Sequence, residues 1–545
     1  MPFSWRRLPI ASAASRFAAI LVLFTTLTVV MTWPQARYVA THASDHWDVY
    51  FNMWRLAWFA HALASAPSTI FDGNIFYPEP HALTFSDAMV VEGLVAAPLL
   101  WAGVPPVLVH SSLLLGAVIV SAAGMFVLVE RLTGNRAAAV IGGIIFAFAP
   151  YRFDHYMHME LQWTVWVPWA LWAVHRTIES GRALHGLQAG VFVALQMLSS
   201  VYYGVFLATL LPLVAGLLLL SLPRSQALRA FGALALGGVA AAIVCSLYAL
   251  PYLAASRQVG RRPTHEINKF SAQPYDYLAA TPDNRIYGDA FDNPPERRLF
   301  PGIVAVLLAI AAVFPRPRTG TAIVYLMALA AAFELSLGFH GYMYEFLYAY
   351  VPVFAGLRVP ARLGIFVIAF LAILAAQGYA TVHDAVPPAA RRAFAVVISC
   401  VLLLEYSVSP LHLVPYENTR PPVYEFLARL PPGVVAEFPV PPRNAVPGPD
   451  ARYTYMSTFH WQKLVNGYSG YYPPSYLQRL DGLQSFPDAS SLEILRRTGV
   501  SYVIVHLSSY ESEKQLLLDL QANPALVALG RLKDGQGTAI VYRLE

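Results

Sequence analysis

Between Ser44 and Glu92 the chain crowds acids, amides and large rings into one stretch that opens SDHWDVYFNMWRLAW. Asp45 and Asp48 are its candidate catalytic groups, since a carboxylate held within reach of a hydroxyl can act as its general base. At about 100° per residue, a helix through this stretch puts Asp45, Asp48, Asn52 and Arg55 on one stripe, with Trp47, Phe51, Trp54 and Trp58 on the next. Acids facing a wet cavity beside rings at a lipid boundary suit the mouth of a membrane protein. Trp47, Asn52 and Arg55 are then substrate-lining neighbours. The plainer role for Ser44 or Asp45 is to cap the helix, a side-chain oxygen taking a free backbone N–H.

Three further groups carry chemistry. The run YRFDHYMHME brings together Arg152, Asp154, His155 and His158 as lining residues. Its histidines, three apart with Glu160 nearby, are also a candidate set for a divalent metal; no other cofactor is called for. In GLRVPAR, Arg358 and Arg362 precede an apolar run, where guanidinium groups can clamp a lipid phosphate in bidentate fashion. Arg257, near Arg261 and Arg262, offers a second cationic cluster with the same reading. Tyr202 and Tyr203 fit either an aromatic belt or a sugar-stacking surface. The sequence holds no P-loop, no GxGxxG in a βαβ setting and no GxSxG elbow. A transferred sugar should therefore arrive on a lipid carrier.

The elements that must position these residues are membrane spans. Of 545 residues, 57% are hydrophobic and only 13% charged, about half the charge of a soluble chain. Apolar blocks at 17–33, 107–129, 137–150, 161–175, 184–199, 202–222, 230–252, 300–315, 320–338, 363–381 and 393–411 read as about eleven transmembrane helices, the first an uncleaved N-terminal span. Alternate short loops carry Arg6, Arg7 and Arg16, then Arg131 and Arg136, Arg176 and Arg182, Arg224 and Arg229, Arg316 and Arg318, Arg391 and Arg392. The positive-inside rule then sets the N-terminus in the cytoplasm. Residues 88–104, interrupted by Glu92, Pro98 and Gly103, read as a half-inserted helix of the first outer loop (34–106). The other long outer loop is 253–299. With a net charge of +5 spread over span ends, nucleic acid is not an expected partner. Cys245 and Cys400 sit in apolar runs, so no disulfide framework is expected. After residue 411, β-like runs at 434–440, 501–507 and 538–545 alternate with helical patterns. Residues 1–411 thus form a transmembrane domain and 412–545 a small extracytoplasmic α/β domain.

The segments SDHWDVYFNMWRLAWFAHAL, IFYPEPHALTFSD, APYRFDHYMHMELQWTVWVPWAL, GLRVPARLG and VNGYSGYYPPSY, with this span pattern, resemble the GT-C superfamily. These are integral-membrane glycosyltransferases that use polyprenyl-phosphate sugars, among them protein O-mannosyltransferases and aminoarabinose transferases. The resemblance implies an inverting hexosyl or pentosyl transfer to a glycan, lipid or protein acceptor at the outer face of a bacterial plasma membrane. It places the base on Asp45 and the phosphate on Arg358 and Arg362. The mannosyltransferases carry an adjacent Asp-Glu pair in the first loop, whereas Asp45 is followed here by His46, which leaves Asp45 and Asp48 both open. A lipid-linked oligosaccharide ligase or polymerase would share the face but lean on arginine and histidine. A transporter or flippase would place charges deep in its spans.

Overall fold

The computed structural model describes residues 10–545 except Asp289 and Arg318; Arg6, Arg7 and Arg318 of the charge argument lie outside them. Helices stand at each predicted apolar block: Ile10–Met31, Pro106–Thr133, Arg136–Phe148, Trp166–Ser180, Ala183–Ser199, Val201–Leu220, Arg224–Val259, Ile303–Val313, Gly320–Ser336, Gly364–Ala385 and Arg391–Glu405. Among the described residues, five helical stretches are long and apolar enough to cross a membrane: Pro106–Thr133, Arg136–Asp154, Val201–Leu220, Arg224–Arg257 and Pro360–Ala385. Shorter apolar helices include Ser15–Met31, Ala183–Ser199, Ile303–Val313 and Gly320–Ser336.

The chain divides into two compact units. The first holds the chain up to Arg37, Leu114–Ser246 and Arg262–Leu411; the second holds Tyr38–Leu113, Leu247–Arg261 and His412–Glu545. One break between the units falls between Leu411 and His412, and Tyr38–Leu113, most of the expected first outer loop, clusters with His412–Glu545.

In the first unit, Gly364–Ala385 is the central helix, with every residue from Gly364 to Tyr379 buried. It packs against Arg136–Phe148, Ile303–Val313 and Gly320–Ser336. Elsewhere two helices cross backbone to backbone: a Cβ on Gly237 would lie 1.9 Å from the carbonyl oxygen of Gly186, the close approach that small residues permit between membrane helices. Leu228, Phe231, Val239 and Ile243 stay exposed on the helix Arg224–Val259, a face suited to hydrocarbon.

The second unit is built on two sheets. Strands β1 (His42–Ser44) and β2 (Leu413–Pro415) pair antiparallel, Ala43 opposite Val414. The larger sheet has the order β4 (Lys463–Leu464), β3 (Val434–Phe438), β5 (Tyr502–His506), β7 (Thr538–Leu544), β6 (Leu526–Lys533). Its β4-β3-β5 half is parallel, and β5-β7-β6 is antiparallel. Both β3 and β5 are buried along their whole length, as suits mainly apolar strands covered on both faces, with Glu437 and His506 the polar exceptions. Residues 88–104 form a 12-residue helix, Val90–Trp101, with Leu94, Val95 and Trp101 exposed.

Candidate functional site

In the second unit the helix after β1 is Trp47–Ser65. Its N-cap is neither Ser44 nor Asp45 but His46, whose ring Nδ1 accepts the Asp48 N–H at 3.1 Å. That bond uses the ring nitrogen's lone pair. The same atom stands 3.4 Å from Asp48 Oδ2. Asp45 lies before the helix, so it is off the predicted stripe and free of the capping role. It is exposed and has no hydrogen bond or ion pair among the described residues.

What fixes Asp45 is the backbone on either side of it. The Tyr416 hydroxyl, one residue past β2, donates to Ser44 O at 2.7 Å and stands 3.1 Å from His46 O. Tyr416 is itself held edge-on by Tyr50, ring centroids 4.7 Å apart. Tyr50 donates to Glu417 at 3.0 Å, and Glu417 accepts from Arg452 at 2.8 Å. A carboxylate on a pinned turn, facing solvent, is equipped to take a proton from a bound hydroxyl.

Asp48 is half-buried, and the Tyr468 hydroxyl donates to its Oδ1 at 2.6 Å. Trp47 is 45% exposed and available as a stacking surface. Asn52 and Arg55 do not line an open surface. They are buried, Arg55 donating to Asn52 Oδ1 and, at 2.8 Å, to Asp87 O. The helical period put them on the right helix, but their face is the core. Arg257 is exposed.

The first unit gathers the other candidates around an acid that the sequence analysis missed. Glu296 accepts from Arg362 at both oxygens, 3.1 and 2.5 Å, with His155 Nε2 at 3.8 Å from one of them. Burial alone would raise the Glu296 carboxyl, but Arg362 and His155 hold it well below the usual carboxylate range. Arg362 is 7% exposed, and its fork is committed to Glu296, so it is not a free phosphate clamp. Asp154 accepts from Arg298 at 2.9 Å. Arg152 is spent bracing a turn, donating to Thr164 Oγ1 at 2.7 Å and Gln162 O at 2.9 Å. Tyr203 is buried with its hydroxyl 3.2 Å from that of Tyr151. Tyr202 accepts the Arg358 backbone N–H at 2.7 Å, and its ring lies under the Arg362 guanidinium, 4.8 Å away.

His155 is buried and His158 half-buried. With Glu160 they do not converge: among the described residues no three His, Cys, Asp or Glu side chains gather as a metal site. The expected metal set is therefore not supported.

Arg358 is the more accessible arginine. It and Arg262 flank Glu266, at 3.5 and 3.6 Å, and its guanidinium stands 5.2 Å from the Phe270 ring. Glu296, Tyr416 and Tyr468 carried no local signal, because each acquires its role from a partner far away in the chain.

No protein-family model matches the sequence, and comparison with curated proteins finds no match. Solved structures do match. The arabinofuranosyltransferase AftD from Mycobacteria aligns with 97% of this chain at 14% identity and a TM-score of 0.59. The Archaeoglobus fulgidus oligosaccharyltransferase in its apo form aligns with 90% of it at 13% identity and a TM-score of 0.50, covering 70% of that chain. ArnT from Cupriavidus metallidurans, bound to undecaprenyl phosphate, has 12% identity and a TM-score of 0.48 over 98% of both chains. This chain spans only 40% of the length of AftD. These are likenesses of fold alone, shared with the arabinofuranosyltransferase AftD and the Archaeoglobus fulgidus oligosaccharyltransferase.

Proposed function

We propose that this chain is a membrane glycosyltransferase that moves a sugar, with inversion, from a polyprenyl-phosphate donor to an acceptor hydroxyl, with Asp45 as general base. The proposal includes about eleven spans, a cytoplasmic N-terminus, and a second unit on the outer side of a bacterial inner membrane. The observation that carries it is the state of Asp45: exposed, unpaired, released from helix capping, and fixed by Tyr416 on both flanks. In the reaction Asp45 takes the acceptor proton as the acceptor oxygen bonds to the anomeric carbon. The bond from that carbon to the phosphate oxygen breaks, and the polyprenyl phosphate leaves with the electron pair. Developing charge on a leaving phosphate is best met by fixed cations. Arg358, the more accessible arginine of GLRVPAR, and the exposed Arg257 are the cations proposed for that role. Asp48, already engaged by Tyr468, is the supporting carboxylate.

The test is turnover by the purified full chain with undecaprenyl-phosphate-linked arabinose and mannose, read as released undecaprenyl phosphate. Asp45→Asn should lose about 10²–10⁴-fold, the usual worth of a general base, and Asp48→Asn should lose less. Wild-type turnover in both variants would refute the mechanism. A ligase or polymerase reading draws on the Glu296, Arg362 and His155 cluster instead. It is favoured if Asp45→Asn is active while His155→Ala is not.

A further inference from the structure

The segment NGYSGYYPPSY, Asn466 to Tyr476, enters the mechanism above only through Tyr468, yet it is anchored at both ends. Both its ends converge on one buried acid. Asn466 Nδ2 donates to Asp450 Oδ1 at 3.0 Å, and the Tyr476 hydroxyl donates to Asp450 Oδ2. Asn466 also exchanges bonds with the Glu437 backbone of β3, at 2.8 and 2.9 Å. Gly467 seats the loop against Phe76, whose ring would come within 2.6 Å of any Cβ there. Phe76 in turn holds a left-handed backbone at φ 58°, uncommon for a bulky residue and sustained only where the surroundings dictate it.

Between these anchors the loop reaches Asp48 through Tyr468, at 2.6 Å. It also leaves two hydroxyls without hydrogen-bond partners among the described residues, Ser469 Oγ and Tyr472 Oη, both shielded from solvent. Ser469 is only 4% exposed. A shielded hydroxyl without a partner costs free energy, and folded proteins rarely leave one so. Two in one pinned loop, one and four residues in sequence from the Tyr468 hydroxyl that engages Asp48, point to a surface for a ligand. The ligand's character follows from composition. The loop contains no charged residue, which disfavours an anion. Hydroxyls that both donate and accept, set among tyrosine rings 6.5 Å apart at Tyr468 and Tyr472, suit a neutral polyol with apolar C–H faces.

We infer that Ser469 and Tyr472, on the loop that holds Asp48 through Tyr468, form a binding subsite for a neutral sugar ring of the acceptor. That the sugar is an acceptor rests on the glycosyltransferase reading; that the loop binds a neutral glycan does not.

The experiment is saturation-transfer NMR on the full-length protein in detergent. The probes are methyl α-D-arabinofuranoside, methyl α-D-mannopyranoside and the peptide Ac-Ala-Ser-Ala-NH₂. At least one glycoside should bind the wild type. Ser469→Ala and Tyr472→Phe should each weaken it about three- to tenfold, the loss of one neutral hydrogen bond, while Asp45→Asn leaves binding intact. Because both variants remove a hydroxyl that has no partner, the melting temperature of the ligand-free protein should hold or rise, which a merely structural role would not allow. No glycoside signal, a signal from the peptide alone, or glycoside binding unchanged in both variants would overturn the subsite. If the subsite stands while Asp45→Asn still turns over donor, only the catalytic reading falls.

Discussion

The oxygen of Tyr416 can be removed without disturbing its ring, which isolates what fixing the Asp45 turn contributes. Tyr416→Phe keeps the contact with Tyr50 but frees the Ser44 and His46 carbonyls. If the hydroxyl positions the base, kcat falls about tenfold with KM unchanged, the pattern of an interaction needed for orientation rather than for ground-state binding. An unchanged kcat would make Tyr416 purely structural. The two arginines of GLRVPAR should separate cleanly. Arg362→Ala strands the buried Glu296 carboxylate and should cost about 3–5 kcal/mol of stability, seen as a lower melting temperature. Arg358→Ala should leave melting nearly unchanged and raise KM for the lipid-linked donor. The opposite outcome would return Arg362 to the phosphate. Residue types made Asp45, Asp48, Arg358 and the His155 run legible in the sequence. Their partners were not. Tyr416 lies 370 residues from His46 and Tyr468 lies 420 from Asp48, and no local pattern reports a contact at that separation. Periodicity likewise set Asn52 and Arg55 on one helix face without telling whether that face was core.

Among the elements, the β3-β5 pair contains an unusual staple. His506 on β5 lies 2.8 Å from Glu437 on β3 through Nε2 and 2.7 Å from Asp534, ahead of β7, through Nδ1. Tyr424 also donates to Glu437, at 2.8 Å. Both ring nitrogens can donate only in the imidazolium. Burial alone would favour the neutral ring, but the bonds to Asp534 and Glu437 outweigh it and raise the imidazole pKa, while Asp534 is held down at about 2. A histidine with a raised folded pKa adds stability that is complete below its unfolded value of about 6.5 and is lost as pH climbs through the folded one. Asp534 adds stability that is present above about pH 3.9 and lost as pH falls through its folded value. Asp450, pushed up to about 7 by burial, costs stability as pH rises from about 4 to its folded value. Melting of the full chain should therefore fall from pH 6 to 9. His506→Gln should flatten the upper part of that slope and Asp450→Asn the lower; a wild type equally stable at pH 6 and 9 would contradict the staple. The strands at 434–440, 501–507 and 538–545 were legible as apolar runs. Leu526–Lys533 was not, since its half-exposed alternation is interrupted by Gly530, and β1, β2 and β4, each three residues or fewer, exist only through their partners.

At the scale of the whole molecule, hydropathy located every apolar helix of the first unit, because a helix in hydrocarbon must carry its apolar residues in sequence order. It could not show that Tyr38–Leu113 folds with His412–Glu545, since the β1-β2 pairing and the Phe76 and Tyr416 contacts are long-range. The proposed reaction requires the Asp45 turn to face the side opposite the cytoplasm. Trp47, beside the base and 45% exposed, is the natural reporter. In a chain with Cys245→Ala and Cys400→Ala, Trp47→Cys should react with a membrane-impermeant maleimide in intact spheroplasts, at the rate seen after permeabilisation. Labelling that appears only once the membrane is opened would put Asp45 in the cytoplasm and contradict the account at its root.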